Sequence, residues 1–441
     1  MRSLPSVNNF ERVSVLRATN RWATVSAKSL SPSPRLLFAP CLFLLASALP
    51  MFYFRKDSIS HLRCSLDRRN FLKVVGLGSV TLAAGRFMPT LGPLFAQTAS
   101  SKQKHWAWIT RQFNPSVDGW KRHLAMLRES GINAILPEIY DSRHAFFGSK
   151  HLPVTEERLE KILPLAKEAG LEVHAWMWSM PCNVEDVVAN HPDWYVVNRK
   201  GESAVEKPAY VPYYKFLCSS HPEAQEFVRT TAKELSQYDG LAGVHFDYIR
   251  FPDVILPDGL QPKYGIVQDR EYPEYDYCYC SLCRHDFEQE TGMDPMKLDD
   301  PAASDAWKNF RYGRIRHLVN DILIPTVHEQ KKLASAAVFP NWQNVRQEWS
   351  TWHLDAALPM LYHRFYYKGI DWIGEQTKKE VERMQNHAPI YSGIFASMLK
   401  PEEMQQAVDT CLKAGAGGVA LFASPLMSEE HFAAFAQAVK R

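Results

Sequence analysis

The sequence predicts an α/β fold of the (β/α)₈ TIM-barrel type, and three observations carry this prediction. Short apolar runs alternate with amphipathic helical patterns from His105 onward, about as regularly as repeated strand–helix units require. The apolar runs number eight, which is the strand count of this barrel. Several helical patterns end in glycine directly before the next run, as at Gly131, Gly170 and Gly415, in the manner of helix C-caps.

The order of the predicted elements also indicates where loops are long. An open doubly wound sheet is the alternative architecture, but nothing in the sequence resembles a Gly-rich dinucleotide loop. Two connections are oversized, 181–237 after strand three and 253–305 after strand four, and such extensions build substrate grooves on the catalytic face of a barrel. The predicted strands are 105–110, 133–140, 171–179, 244–251, 333–339, 356–363, 390–396 and 418–424. The predicted helices are 117–130, 156–169, 223–237, 307–329, 372–387 and 401–414.

The amino-terminal region has the parts of an export signal. Arg68 and Arg69 precede a modestly apolar stretch at 74–84, and small residues follow near 96–99. The paired arginines match the twin-arginine type, so we expect a signal peptide at 61–99, contact with the twin-arginine export machinery, and a periplasmic or extracellular protein. A basic loop before a core helix is the alternative interpretation.

The first 60 residues are predicted to be an extension of the chain outside the folded domain. The apolar stretch at 36–54 is interrupted by Pro40 and Pro50, which a membrane-spanning helix tolerates poorly, so we expect no stable membrane span in the mature protein. Met51 would give a signal of ordinary length, and we interpret it as the better translation start, with a second membrane segment as the alternative. The catalytic-type domain is then 100–441.

Composition excludes one broad class of function. The net charge of +3 with 22% charged residues lacks the basic excess of a nucleic-acid-binding protein. Aromatic residues make up 12% of the chain; their rings suit the apolar faces of sugars, but they also build cores.

The run GVHFDYIRFP at 243–252 is the most informative segment. It is a β-branched and aromatic stretch ended by a proline, with Asp247 near its carboxyl end. A carboxylate is costly to bury at the end of a strand unless it is paired or used, and this end of a barrel strand is where catalysis takes place. Asp247 is therefore the first candidate catalytic residue, and an ion pair with Arg250 or His174 is the structural alternative.

This run resembles the strand-four signature of the glycosyl-hydrolase-like barrel family, the family-10-type bacterial envelope proteins. LEVHAW at 171–176, HPDW at 191–194 and PMLY at 359–362 add to the resemblance. It implies an exported glycosidase that acts on an envelope glycan, including amino-sugar polymers such as peptidoglycan strands stripped of peptides, with plant-type polysaccharides also open. Strand two departs from the family pattern, because Leu136-Pro137 stands where Arg-Pro is common.

Glycoside hydrolysis usually requires two carboxyl groups. With Asp247 as acid/base, Glu138 near the end of strand two is the candidate partner; assistance by a substrate acetamido group is the alternative, and Glu138 could also be a rim charge. The residues expected to bind substrate are His174, Trp176, Trp178, Tyr362, Asp141 and Arg250. For the aromatic residues, filling the barrel mouth is the alternative role, and for His174 it is a hydrogen-bonded interior position.

Three cysteines in the connection after strand four have metal-binding spacing. Cys278, Cys280 and Cys283 form C-x-C-x-x-C, which can place three thiolates on one tetrahedral zinc ion. Cys218 is the best fourth ligand, with His285 as the substitute. The arrangement resembles the structural zinc site of certain barrel β-galactosidases, and that resemblance implies the same four-thiolate ligand set here. Disulfides and free thiols are the alternatives.

Two further functions compete with a glycosidase. A non-catalytic glycan-binding barrel would use the same aromatic mouth without a second acid. A metal-dependent hydrolase such as a deacetylase would need an open His/Asp site, for which no spaced ligand cluster is visible in the sequence. We expect a glycan as partner, no nucleic acid, and no organic cofactor.

Overall fold

The computed structural model describes residues 103–385 and 387–440. The predicted signal peptide at 61–99 and the extension at 1–60 lie outside the described residues. Within the described part of the chain, no helix has the length and apolar character needed to cross a membrane.

Eight parallel strands form the central sheet, as the apolar runs predict. They are ordered β6-β5-β4-β3-β2-β1-β8-β7. The two edge strands are joined by isolated parallel bridges between Ala357 and Ile390 and between Met360 and Gly393, which brings the sheet round into a barrel. The strands are β1 Trp106–Ile109, β2 Ala134–Tyr140, β3 Glu172–Trp178, β4 Gly243–Asp247, β5 Leu333–Val338, β6 Ala356–Pro359, β7 Tyr391–Phe395 and β8 Gly418–Phe422.

The helices lie between the strands, and most follow the predicted pattern. The first helix has the predicted bounds because Ser116 caps its start and Gly131, with a φ of 103°, ends it in the left-handed conformation. Three helices were not predicted, namely α3, α5 and α10. The helices are α1 Val117–Ser130, α2 Arg158–Glu168, α3 Glu185–Asn190, α4 Pro222–Ser236, α5 Ser281–Thr291, α6 Asp305–His317, α7 Ile324–His328, α8 Asp371–Met384, α9 Met404–Lys413 and α10 Glu429–Val439.

Three predicted elements were wrong in extent, and one of them is strand six, which was expected to reach residue 363 but ends at Pro359. Strand four was expected to reach residue 251, but it ends at Asp247 because Tyr248 adopts a φ of 51°, outside the extended region. The single helix expected at 307–329 is divided by a π-helical turn at Leu318–Leu323. Pro325 follows that turn and has no backbone N–H to continue the regular hydrogen-bond ladder, which accounts for the break.

Side chains alternate between two cores. One lies between the sheet and the helices, and the other fills the interior of the barrel. On β1, Trp106 and Trp108 point inward while Ala107 and Ile109 pack toward the helices. The interior of the barrel is therefore a packed core of bulky side chains.

Candidate active site

A cavity of about 340 Å³ lies at the carboxyl ends of the strands. Residues at or just beyond the ends of all eight strands line it, together with the long connection after β4. This is the position at which (β/α)₈ barrels carry their active sites. The lining residues are Trp108, Thr110, Gln112, Glu138, Trp176, Trp178, Tyr214, Asp247, Tyr248, Arg250, Asp253, Leu256, Pro257, Leu260, Tyr264, Phe339, Met360, Tyr362, Phe365, Tyr366, Phe395 and Phe422.

Asp247 is the last residue of β4 and is only 8% exposed. Its Oδ2 accepts a hydrogen bond from Trp176 Nε1 at 3.0 Å, and its Oδ1 accepts one from the backbone N–H of Tyr248 at 2.7 Å. Burial raises the pKa of Asp247 to about 6, although the Tyr248 and Trp176 donors and the charge of Arg250 act in the opposite direction. A carboxyl group that titrates near neutral pH can carry a proton to a substrate.

Glu138 is the second buried carboxyl group in the cavity lining, at 4% exposure. Its Oε2 accepts a hydrogen bond from the backbone N–H of Arg111 at 2.8 Å. Burial raises the pKa of Glu138 to about 7, and the nearby charge of Asp141 adds to that rise. Glu138 therefore lies inside the cavity and is not an exposed rim charge.

The two carboxyl groups are separated by one strand. Glu138 on β2 pairs in register with Trp176 on β3, and Trp178 on β3 pairs with Asp247 on β4. Neighbouring strands are about 4.8 Å apart, so the two backbone positions are roughly 10 Å apart across the sheet. Because both side chains line one cavity, a ligand in it can contact both.

The aromatic candidates also reach the cavity, with different surroundings. The Trp176 indole is held by Asp247. Trp178 packs against Tyr248 with ring centroids 4.6 Å apart, and its buried Nε1–H has no hydrogen-bond partner among the described residues. Tyr362 is buried at the end of β6, and burial together with the charge of Asp247 raises its pKa. Trp178 therefore offers an unused donor at the cavity.

Arg250 lines the cavity but is committed to a protein partner. Its Nη1 lies 3.0 Å from Asp253 Oδ2, and both side chains are 3% exposed. Tyr214 bonds to both members of the pair. Asp253, which sequence analysis missed, is therefore the ion-pair partner of Arg250 in place of Asp247.

His174 and Asp141, both expected to bind substrate, do not line the cavity. His174 is near the amino end of β3, fully buried against Trp106, with Nε2 3.4 Å from Glu172. Burial lowers its pKa, so it is a neutral interior residue. Asp141 accepts backbone hydrogen bonds from Arg143 and His144 and thus stabilises the turn after β2.

Many lining residues come from the connection after β4, and sequence analysis did not identify them. They include Asp253, Leu256, Pro257, Leu260 and Tyr264. The only signal in the sequence was the excess length of this connection, which indicated a groove but no individual contact.

The four predicted cysteines lie together beside the cavity-forming loops. Cys218 Sγ is 3.7 Å from Cys278 Sγ, 3.7 Å from Cys280 Sγ and 3.5 Å from Cys283 Sγ. All four sulfurs lie within 4.8 Å of one another. His285 is not part of this group, so the structure favours Cys218 as the fourth member.

The chemistry of this group fits a tetrahedral thiolate site. Zinc–sulfur bonds of about 2.3 Å place the sulfurs of a tetrahedron about 3.8 Å apart, close to the distances from Cys218. A disulfide would need about 2.05 Å between one pair, whereas Cys218 is nearly equidistant from three others. The backbone N–H of Cys283 donates to Cys280 Sγ at 3.4 Å, which favours a thiolate there. A buried four-cysteine group that could bind a metal ion is therefore present.

A buried ion cluster holds the segment just before these cysteines. Asp276 is fully buried, forms an ion pair with Arg311 on α6, and accepts a hydrogen bond from Tyr279 Oη at 2.6 Å. Arg346, from the connection after β5, lies 3.5 Å from the same carboxylate. These charges lower the pKa of Asp276 against the opposing effect of burial. The connection after β4 is thus attached to two neighbouring elements.

Comparison with known proteins gives one family. Residues 101–255 match the family described as Glycosyl hydrolase-like 10. This match, which contains β1 to β4 and both Glu138 and Asp247, confirms the resemblance predicted from the sequence. A search of curated proteins gave no match.

Solved structures confirm the barrel fold. The chain is similar to the glycoside hydrolase domain of PgaB (BpsB) from Bordetella bronchiseptica, with a TM-score of 0.59 and 12% identity over 76% of this chain and 99% of that one. The β-galactosidase of the psychrophilic Marinomonas ef1 has a TM-score of 0.55 and 10% sequence identity, over 76% of this chain and 59% of that one. The β-amylase catalytic domain of Paenibacillus polymyxa has a TM-score of 0.55 and 9% sequence identity, over 76% of this chain and 97% of that one. At such identities the likeness concerns the fold alone.

Proposed function

We propose that this protein is an exported glycoside hydrolase that cleaves a polysaccharide or cell-envelope glycan by carboxylate acid/base catalysis. One observation carries the proposal: two buried carboxyl groups with raised pKa, Asp247 and Glu138, line a single cavity at the carboxyl ends of the barrel strands. The glycosyl hydrolase-like 10 match and the glycosidase neighbours support this reaction class.

The reaction requires one carboxyl group that carries a proton and one that is ionised. Asp247 acts as acid/base: its proton passes to the glycosidic oxygen as the bond to the leaving sugar breaks, and the carboxylate left behind is stabilised by the Trp176 and Tyr248 donors. Glu138, when ionised, stabilises the positive charge that develops on the anomeric carbon, or takes a proton from the water molecule whose oxygen bonds to that carbon as the leaving sugar departs. The free Nε1–H of Trp178 can bind a sugar oxygen.

Amino-sugar polymers, such as peptidoglycan glycan strands, are the first substrates to test. The purified protein is incubated with a glycan panel, and new reducing ends are counted. Wild-type protein should release them, and Asp247→Asn should reduce the rate by about a hundredfold or more. Full activity of this variant on a confirmed substrate would remove Asp247 from the mechanism.

Activated substrates separate the roles of the two carboxyl groups. A glycoside with a good leaving group needs little protonation, so Asp247→Asn should lose much less activity on it than on the natural glycan. Glu138→Gln should lose activity on both. If Glu138→Gln retains full activity on a substrate that carries an acetamido group, that acetamido group takes the catalytic role proposed for Glu138.

A non-catalytic glycan-binding barrel is the second candidate. The aromatic lining of the cavity favours it, since Trp178 and Tyr248 can contact sugar rings without any reaction. If the protein binds glycans of the panel but releases no new reducing ends from any of them, the glycan-binding function is supported. For a metal-dependent deacetylase, the described residues contain no candidate metal group other than the four cysteines, which leave no open position for substrate.

We also propose that Cys218, Cys278, Cys280 and Cys283 bind a structural zinc ion. The nearly equal sulfur–sulfur distances support this proposal. Elemental analysis of protein folded in the cytoplasm should find about one zinc per chain. Absence of stoichiometric metal would contradict it.

Export by the twin-arginine pathway is proposed from the sequence alone. Replacing Arg68 and Arg69 with lysine in the full chain should retain the protein in the cytoplasm, as fractionation would show. Unchanged export of this variant would argue for another route.

A further inference from the structure

The connection after β4 closes one side of the cavity. Leu256, Pro257 and Leu260 in this connection line the cavity, and so do Phe365 and Tyr366 in the connection after β6. The two connections meet directly, because the backbone N–H of Gly259 donates to the carbonyl oxygen of Phe365 at 2.8 Å. They therefore form one surface across the end of β5, which lies between β4 and β6.

The contact at Gly259 leaves no gap. A Cβ at this position would lie 2.7 Å from the carbonyl oxygens of both Arg364 and Phe365. Distances this short between a carbon and a backbone oxygen are repulsive, so only glycine allows the two backbones to approach so closely. No sugar ring can pass between them.

The connection after β5 completes the closure. The backbone N–H of Val254 donates to Asn344 at 2.8 Å, and that of Phe251 donates to Val345 at 3.1 Å. Tyr366 Oη donates to Asn341 Oδ1 at 2.8 Å. We name the joined segments 251–264, 341–345 and 363–366 the β4–β6 wall.

Asp247 stands beside this wall, since it is the last residue of β4. An enzyme that cuts within a glycan chain needs room for sugars on both sides of the bond that breaks. Here the wall blocks the β4–β6 side with largely apolar groups, and 340 Å³ is near the lower end of the roughly 300–1,000 Å³ typical of ligand pockets. That volume suits a monosaccharide or disaccharide unit.

We propose that the β4–β6 wall makes the cavity a dead-end pocket for one terminus of a glycan chain, so that the enzyme releases short products from that terminus. This proposal rests on the glycosidase function and adds its mode of action. The terminal sugar would lie against Leu256, Pro257 and Leu260, with the glycosidic bond at Asp247 and Glu138.

The test uses a hexasaccharide of β-linked N-acetylglucosamine and peptidoglycan strands stripped of peptides. The hexasaccharide is prepared free, blocked at the reducing end by a fluorophore, or blocked at the non-reducing end by a ketal. The proposal expects a mono- or disaccharide as the first product, and a loss on the order of tenfold or more when one particular end is blocked. Products of intermediate length from the first time point, or equal rates for all three hexasaccharides, would overturn it.

Binding separates this proposal from the proposed function. If no glycan is hydrolysed, the glycosidase function fails, and the binding of the same three hexasaccharides to the wild-type protein is then measured. Weaker binding when one end alone is blocked supports a terminus pocket. Equal binding of all three, or no binding of any, contradicts it.

A glycine variant probes the wall directly. Gly259→Val should force the two connections apart and increase the share of intermediate-length products. Gly369→Val is the matched control, because a Cβ at Gly369, also in the connection after β6, meets no atom within 4 Å. An unchanged product pattern in a folded Gly259→Val protein would count against the wall. If this variant does not fold, the wild-type product pattern remains the deciding measurement.

Discussion

The cavity and the four-cysteine group are both buried clusters of ionisable side chains, but they differ in what those side chains face. Asp247 and Glu138 each accept hydrogen bonds from the protein and still border a cavity of about 340 Å³. The sulfurs face one another within 4.8 Å, and none of the four cysteines lines that cavity. A group that faces free space can exchange a proton with a ligand, whereas a closed set of ligands can only hold chain segments together.

The largest expected difference between these regions is in turnover. Asp247→Asn should reduce the rate about a hundredfold or more, because the amide cannot donate the proton that the leaving oxygen requires. Its melting temperature should stay close to that of the wild type, since the side chain keeps its shape. Kinetics on the glycan identified by the panel, together with a thermal melt, check both expectations. A similar loss in Cys280→Ser would remove the functional contrast between the two regions.

Cys280→Ser should instead lower stability and release the metal. Loss of one thiolate from a zinc site removes binding free energy that is also folding free energy, on the order of a few kcal/mol in a domain with its own core. Activity below the melting temperature should fall only severalfold, as the loops near the cavity loosen. Thermal melts and metal analysis are the measurements, and Cys411→Ser, at a buried cysteine outside the group, is the control that should keep its metal.

The pH dependence of stability should reveal the cost of burying Glu138. Its pKa is raised from 4.5 to about 7 in the folded protein. A raised carboxyl pKa gives stability that is fully present below the unfolded value and is lost as the pH rises through the folded value. Relative to Glu138→Gln, the wild type should therefore lose on the order of 2 kcal/mol between about pH 5 and pH 8. Urea denaturation at several pH values measures this.

An exposed residue provides the control for that experiment. Glu129→Gln, on the exposed surface of α1, is the same substitution outside the cavity, and its stability is measured at the same pH values. If the free energy of unfolding of Glu138→Gln depends on pH in the same way as that of Glu129→Gln, burial of Glu138 does not destabilise its ionised form. The assignment of Glu138 to the catalytic pair would then be weakened.

The smallest predicted effect concerns the indole that separates the two carboxyl groups. Trp176→Phe keeps an aromatic ring but removes the Nε1–H donor to Asp247 Oδ2. Because that donor favours the ionised carboxylate, the pKa of Asp247 should rise above about 6, by about one unit for a hydrogen bond to a charged group. The limb of the pH–rate profile that belongs to Asp247 should move to higher pH. A fixed profile would mean that Trp176 only fills space.

The contrast between His174 and Trp178 explains why part of the candidate site was predictable and part was not. Both residues are on β3, each two positions from Trp176, so the two-residue period of a strand places all three on the inner face. Each residue advances about 3.3 Å along the strand, so His174 and Trp178 are roughly 13 Å apart in height. The two-residue pattern therefore predicted correctly that these side chains point into the barrel. How far each lies from the barrel mouth could not be predicted, because that depends on where the barrel ends.

Local sequence determined the eight strands, most of the helices between them, Asp247 near the end of β4 and the spacing of Cys278, Cys280 and Cys283. These features depend on periodicity, capping residues and short-range geometry, which are written in consecutive residues. The tertiary structure alone decided that Asp253 pairs with Arg250, that Glu138 is buried in the cavity, and that Gly259 meets Phe365. Those contacts join segments distant in sequence, and the path of a long loop depends on what the rest of the fold offers it to pack against.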